Sequence, residues 1–304
     1  MTRAATDTTV SFPARGRAAD YIELCKPRVV MVMIFTAVIG ELLAQPGTLP
    51  LRALILGNLG IALAAGSAAA INHLLDRHID ARMARTRGRP IPNGQVSGLN
   101  AALFAAVIGA SGLGILYSLV NPLTAVLTLA SLMGYAFLYT GFLKRATSQN
   151  IVIGGLAGAA PPLLGWTATA GQIDLMPLLL VLIVFVWTPP HFWPLAIHRQ
   201  DDYRKAGVPM LPVTHGERYT RWQVFFYTLL LVAVTVLPYG FGLAGPVYLA
   251  GALLLGAGFL RYAAAMLVSS DPRLPMRTFG YSITYILLLF AVLLGDTYLG
   301  VLTS

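Results

Sequence analysis

Among the twelve Asp and Glu residues of this chain, four sit in two pairs whose surroundings suggest chemistry. The first pair lies in Asn72-His73-Leu74-Leu75-Asp76-Arg77-His78-Ile79-Asp80. On a helix, a step of four turns the side chain ~40° past one full turn and lifts it ~6 Å, so Asn72, Asp76 and Asp80 fall on one polar stripe. Two carboxylates and an amide suit a hard cation such as Mg²⁺, which takes oxygen ligands and bridges to phosphates. The alternative use of Asp76 and Asp80 is simple pairing with Arg77, Arg82 or Arg85. The second pair is Asp201-Asp202, between Gln200 and Tyr203, reached through Trp187-Thr188-Pro189-Pro190-His191-Phe192-Trp193-Pro194. Around both pairs lie Arg85, Arg87, Arg89, Lys144, Arg145, Arg199, Arg204 and Lys205. Fixed acids facing fixed cations fit a diphosphate: the acids hold a metal, the metal holds phosphate oxygens, and guanidinium groups take the remaining charge bidentately.

A lipid-soluble allylic diphosphate is the compound that needs such a site inside a membrane. Ionising its C–O bond requires the leaving charge to be neutralised and water to be kept away. Tyr139, Phe142 and Trp193 offer aromatic faces that could steady an allylic cation. Packing or anchoring at the membrane interface is the alternative use of each.

The elements that must position these groups are membrane helices. Of 304 residues, 57% are hydrophobic and only 11% charged, against about 25% charged in an ordinary soluble domain. That excludes a soluble enzyme, a disordered chain and a disulfide scaffold. Cys25 is the single cysteine, so no internal disulfide and no Cys-based metal site is expected. Windows of roughly 20 apolar residues give nine candidate spans, at about 28–45, 51–71, 100–119, 122–141, 150–170, 175–197, 222–243, 245–266 and 278–302.

Of the 21 Lys and Arg residues, all but Arg52 fall in one set of connections. The positive-inside rule then places the N-terminus in the cytoplasm of a bacterial cell (inner) membrane and the C-terminus outside. The net charge of +9 is therefore topological, and no nucleic-acid partner is expected. The two acid pairs follow spans two and six, four helices apart, and so face the same side. The predicted fold is an all-α, nine-helix bundle in the lipid bilayer with a central cavity open to the cytoplasm. It is expected as one domain over residues 21–304, two four-helix units plus a final helix, after a mobile polar tail over 1–20. Three prolines in six residues should bend or break span six beside that cavity.

In these blocks the chain resembles the UbiA-type membrane prenyltransferases, and within them the branch that farnesylates haem. The similarity runs from Tyr21-Ile-Glu-Leu-Cys-Lys-Pro-Arg28 through Asn72–Pro90, Tyr139–Arg145, Asn150–Trp166 and Trp187–Val213 to the last span. It implies transfer of the farnesyl group of farnesyl diphosphate to a vinyl group of haem b, giving haem O, with Mg²⁺ as cofactor. It implies metal ligation by Asn72, Asp76, Asp80 and Asp202 and diphosphate neutralisation by Arg85, Arg89, Lys144 and Arg199. Tyr139 would lie near the allylic carbon and Tyr203 beside the substrate. His78 and Asp201 depart from the family pattern, which leaves their part in metal binding open. Of the five histidines, His191 is the candidate for contact with the haem iron or propionates, next to Trp193; a hydrogen-bonded structural role is its alternative. A haem A synthase is a partner the resemblance suggests. The rival readings are a UbiA-type enzyme with another aromatic acceptor, and a membrane transporter, whose broken helices and intramembrane charges look similar.

Overall fold

The computed structural model describes residues 17–83 and 85–303, without the side chain of Arg145. Among the described residues nine helices are long and apolar enough to cross a membrane. They run Pro27–Ala44, Ala53–Asp80, Gly98–Val120, Pro122–Leu143, Asn150–Ala170, Leu175–His198, Gly216–Gly240, Pro246–Val268 and Leu274–Thr303, and they are numbered here as spans one to nine. No strand occurs among the described residues. The apolar windows of the sequence therefore find each span, because in lipid the backbone must satisfy its own hydrogen bonds and a helix does so within one segment.

Two local features differ from expectation. Span six stays helical from Leu175 to His198 despite Pro189, Pro190 and Pro194. The Trp187 indole, just before the prolines, donates to the Ser282 carbonyl at 2.8 Å and ties span six to span nine. The interruption falls instead in span five, between Asn150–Gly158 and Pro161–Ala170, where Pro161 and Pro162 occupy the first positions of a new helix, which need no N–H donor. Of the expected tail, residues 1–16 lie outside the described residues, and 17–20 belong to a short helix, Arg17–Leu24, with Asp20 buried.

Contacts link span one to two, two to four, four to five, five to six, six to nine and nine back to one, closing a ring. Span three packs outside span two, and spans seven and eight flank six and nine. The largest core gathers Leu180, Ile183, Leu231, Phe259, Tyr285 and Phe290 from spans six to nine. At the end where spans one and five finish, glycines let these two spans touch. A Cβ on Gly165 would stand 1.9 Å from the Ala37 carbonyl oxygen, and one on Gly40 2.0 Å from that of Pro162. Small residues let membrane helices approach this closely. The opposite end, where spans two, four and six finish, stays open and holds the polar groups.

Gly165→Val should therefore lower the thermal stability of the detergent-solubilised protein by about 1–3 kcal/mol, the usual cost of overpacking. Gly158→Ala, where nothing lies within 4 Å of the added carbon, should leave the melting curve in place.

Candidate functional site

Helical periodicity carries Asn72, Asp76 and Asp80 onto the inner face of span two, where all three are buried. Asp76 and Asp80 are only 1% and 3% exposed, so their charges need close partners. Asp76 Oδ2 accepts from Lys144 Nζ at 2.6 Å and from Asn72 Nδ2 at 2.9 Å. Asp80 Oδ2 accepts from Arg89 at 2.6 Å. Neither acid pairs with Arg77, Arg82 or Arg85, the partners that sequence proximity suggests. The loop carrying Arg89 is tied back by Thr86, whose hydroxyl donates to the Asp80 carbonyl at 2.9 Å.

These groups border a cavity of about 150 Å³ with Lys26, Arg85, Tyr135, Tyr139, Phe192 and Tyr203 also in its wall. Lys26 and Tyr135 were not among the residues the sequence singled out. A lysine at the start of a span reads as an orientation signal, and nothing in its spacing says otherwise. In the structure Lys26 donates to Asn72 Oδ1 from a left-handed backbone conformation, φ 50°, rare for a residue with a side chain. Burial, with Arg89 and Lys144 adding to it, lowers its ammonium to about 7; an anion arriving beside it would favour the charged form.

Tyr135 and Tyr139 come from the last ten residues of span four, Gly134–Leu143, which are wound as a π-helix. Such winding is rare and recurs at functional sites. Thr140 on the same stretch accepts from Asn72 Nδ2 at 3.1 Å, so spans two and four are hydrogen-bonded at the cavity. Gly154 of span five makes room for Tyr139, since a Cβ there would meet the ring at 2.1 Å.

The second acid pair is placed differently from expectation. In the helix Gln200–Lys205 it is Tyr203 that turns inward and is buried. Asp201 lies two positions earlier, ~200° around the helix, with an 80% exposed side chain paired to Arg204 at 2.6 Å. Asp202 borders neither this cavity nor a second one beside it, lined by Arg85, Phe192, Leu195, Arg199 and Tyr203, and faces Arg199 at 3.9 Å. Among the described residues no three His, Cys, Asp or Glu side chains approach closely enough to share an ion, so Asp202 does not stand with Asp76 and Asp80 as a ready-made ligand set. Burial raises the Tyr203 phenol, against the pull of Arg85 and Arg199.

Other expected contacts also lie outside the cavity. His78, Arg87 and Lys205 are exposed, as is Phe142. Trp193 is packed in the core with its ring edge on Tyr227, 5.2 Å between centroids. His191 is stacked between Trp187 and Phe279, at 4.1 and 4.6 Å, and bonded to Ser282 Oγ at 2.7 Å. That is the structural alternative for His191.

The donor set fits a magnesium ion carried on a phosphate. Asp76 Oδ1 is buried with no hydrogen-bond partner, and Mg²⁺ typically takes one or two carboxylates and completes its shell with water and phosphate oxygens. Lys26, Arg85, Arg89 and Lys144 outnumber the two carboxylates in the wall, so the cavity favours an anion.

Residues 33–295 match the family model described as the UbiA prenyltransferase family. The chain belongs to that family. Curated relatives include a protoheme IX farnesyltransferase from Teredinibacter turnerae, 61% identical over 92% of this chain and 90% of the relative. Another of the same name, from Hahella chejuensis, is 59% identical over 97% of this chain and 99% of its own. Among solved structures, one of a digeranylgeranylglyceryl phosphate synthase matches with a TM-score of 0.77 at 18% identity, over 93% of this chain and 99% of that one. A UbiA homologue from Archaeoglobus fulgidus, bound to DMAPP and Mg²⁺, matches with a TM-score of 0.66 at 18% identity over 90% and 99%. At that identity the two structures establish the shared UbiA fold, a multi-pass membrane bundle. The family match begins beyond Lys26, which the structure alone brings into the site.

Lys26→Gln should weaken Mg²⁺-dependent binding of inorganic diphosphate about tenfold, the scale of one charge-assisted contact, in calorimetry on the solubilised protein. Arg87→Gln, outside both cavities, should bind as the unsubstituted protein does.

Proposed function

We propose that this chain transfers the farnesyl group of farnesyl diphosphate to a vinyl group of haem b, giving haem O. The observation that carries this reading is the identity of about 60% with protoheme IX farnesyltransferases across nearly the full length of both chains. The cavity geometry suits the chemistry. It combines buried carboxylates, surplus cations and aromatic rings at the open end of an apolar bundle.

Asp76 and Asp80 would hold a Mg²⁺ ion, Asp76 through its unpartnered oxygen, with Asn72 orienting the Asp76 carboxylate. The ion supplies charge neutralisation for the departing diphosphate. Lys26, Arg89 and Lys144 bind the phosphate oxygens and hold them as the bond between C1 of the farnesyl chain and oxygen breaks, the electron pair leaving with the diphosphate. Tyr135 and Tyr139 present ring faces to the allylic cation. The apolar bundle keeps water from C1 until the terminal vinyl carbon donates its π electrons and the new C–C bond forms. Positive charge then rests on the carbon next to the electron-rich porphyrin, where water adds and gives up a proton, leaving the hydroxyl of haem O. The basic end, with Lys26, Asp80 and Lys144, faces the cytoplasm of a bacterial inner membrane, and the product suits an adjacent haem A synthase.

Haem extracted from cells expressing the chain should contain haem O, and cells without it should contain none; product formed only from 4-hydroxybenzoate would contradict the acceptor. Asp76→Ala should reduce haem O below detection while the protein still inserts, and excess EDTA should stop turnover. Asp202→Ala should retain measurable activity, because its carboxylate borders neither cavity.

A further inference from the structure

The cations of the open end are divided between two cavities. The first holds Lys26, Arg89 and Lys144 beside Asp76 and Asp80 and shares Arg85 with the second. The second, about 290 Å³, is bordered by Arg85, Phe192, Leu195, Arg199 and Tyr203 and has no carboxylate in its wall. We propose that this second cavity receives a carboxylate side arm of the acceptor, with Arg199 as its partner and Arg85 beside it; the proposal rests on haem b being the acceptor.

Four observations support it. Two guanidinium groups without an acid in the wall attract an anion, and without carboxylates there is nothing to bind the metal that a diphosphate brings. A bare carboxylate matches a guanidinium fork without a metal. Arg199 is also only loosely engaged. Asp202 is 3.9 Å away, beyond hydrogen-bonding distance, and Arg199 Nε is buried with no partner. Arg204, by contrast, is held by Asp201 at 2.6 Å. Phe192 and Leu195 give the cavity apolar walls suited to the edge of a planar macrocycle. Finally, Arg85, Phe192 and Tyr203 border both cavities, so an acceptor anchored in the second abuts the farnesyl donor in the first. This assignment takes Arg199 out of the diphosphate-neutralising group in which sequence position placed it, and makes it a determinant of acceptor specificity.

Steady-state farnesyl transfer in native membranes tests the division, with haem b and haem b dimethyl ester as acceptors. Arg199→Gln should raise the KM for haem b about tenfold, as loss of one charge-assisted pair implies, and leave the KM for farnesyl diphosphate within about twofold. Arg199→Lys should recover part of the loss. With the ester, which carries no carboxylate, the Arg199→Gln and unsubstituted proteins should have equal KM values. A rise in the KM for farnesyl diphosphate with that for haem b unchanged, or no change in either, would overturn the proposal. Transfer by the unsubstituted protein to another acceptor but not to haem b would instead refute the reaction on which it rests.

Discussion

Two carboxylates shut away from water, each against its own cation, set the terms for the rest of this molecule. Removing one member of a buried ion pair leaves a charge uncompensated, at about 3–5 kcal/mol. Asp76 and Asp80 therefore require Lys144 and Arg89 to arrive within hydrogen-bonding distance. Those cations come from the end of span four and from the loop after span two. Meeting that demand fixes where three segments of chain stand at one end of the bundle. With Lys26 added from the start of span one, positive charge exceeds negative in the same small volume, and an anion completes the balance.

The rest of the bundle makes that concentration of charge possible. At the far end glycines bring spans one and five into backbone contact. Spans six to nine supply the largest apolar core, and span six stays helical through its prolines, so that Phe192 reaches the cavity from span six and Tyr203 from the short helix that follows it. In the π-helical stretch of span four Tyr139 lies against Gly154 of span five, ahead of that span's break. Regular helical winding is given up beside the site over Gly134–Leu143, and also away from it at Ala53–Gly57 and Leu116–Val120.

Much of this was legible from sequence, for physical reasons that also mark its limits. The nine spans could be read because lipid demands long apolar helices. The Asn72, Asp76 and Asp80 stripe could be read because a spacing of four survives any tertiary arrangement of a helix. The partners could not: Lys144 reaches Asp76 across 68 positions, and no periodicity encodes a contact between helices. Lys26 was hidden because its role depends on a left-handed turn before Pro27. The Asp201-Asp202 pair shows another limit. Its place after span six and the family resemblance suggested Asp202 as a metal ligand, but the buried face of the six-residue helix carries Tyr203. The prolines of span six suggested a bend or a break, and the span stays helical through them.

The most direct measurement is the position of a Mn²⁺ ion, located by anomalous scattering, in crystals of the protein grown with a non-hydrolysable farnesyl thiodiphosphate. The ion should be bonded to a carboxylate oxygen of Asp76 or Asp80, with the diphosphate oxygens beside Lys26, Arg89 and Lys144. An ion held by Asp201 and Asp202, with the cavity of Asp76 and Asp80 free of both metal and diphosphate, would contradict it.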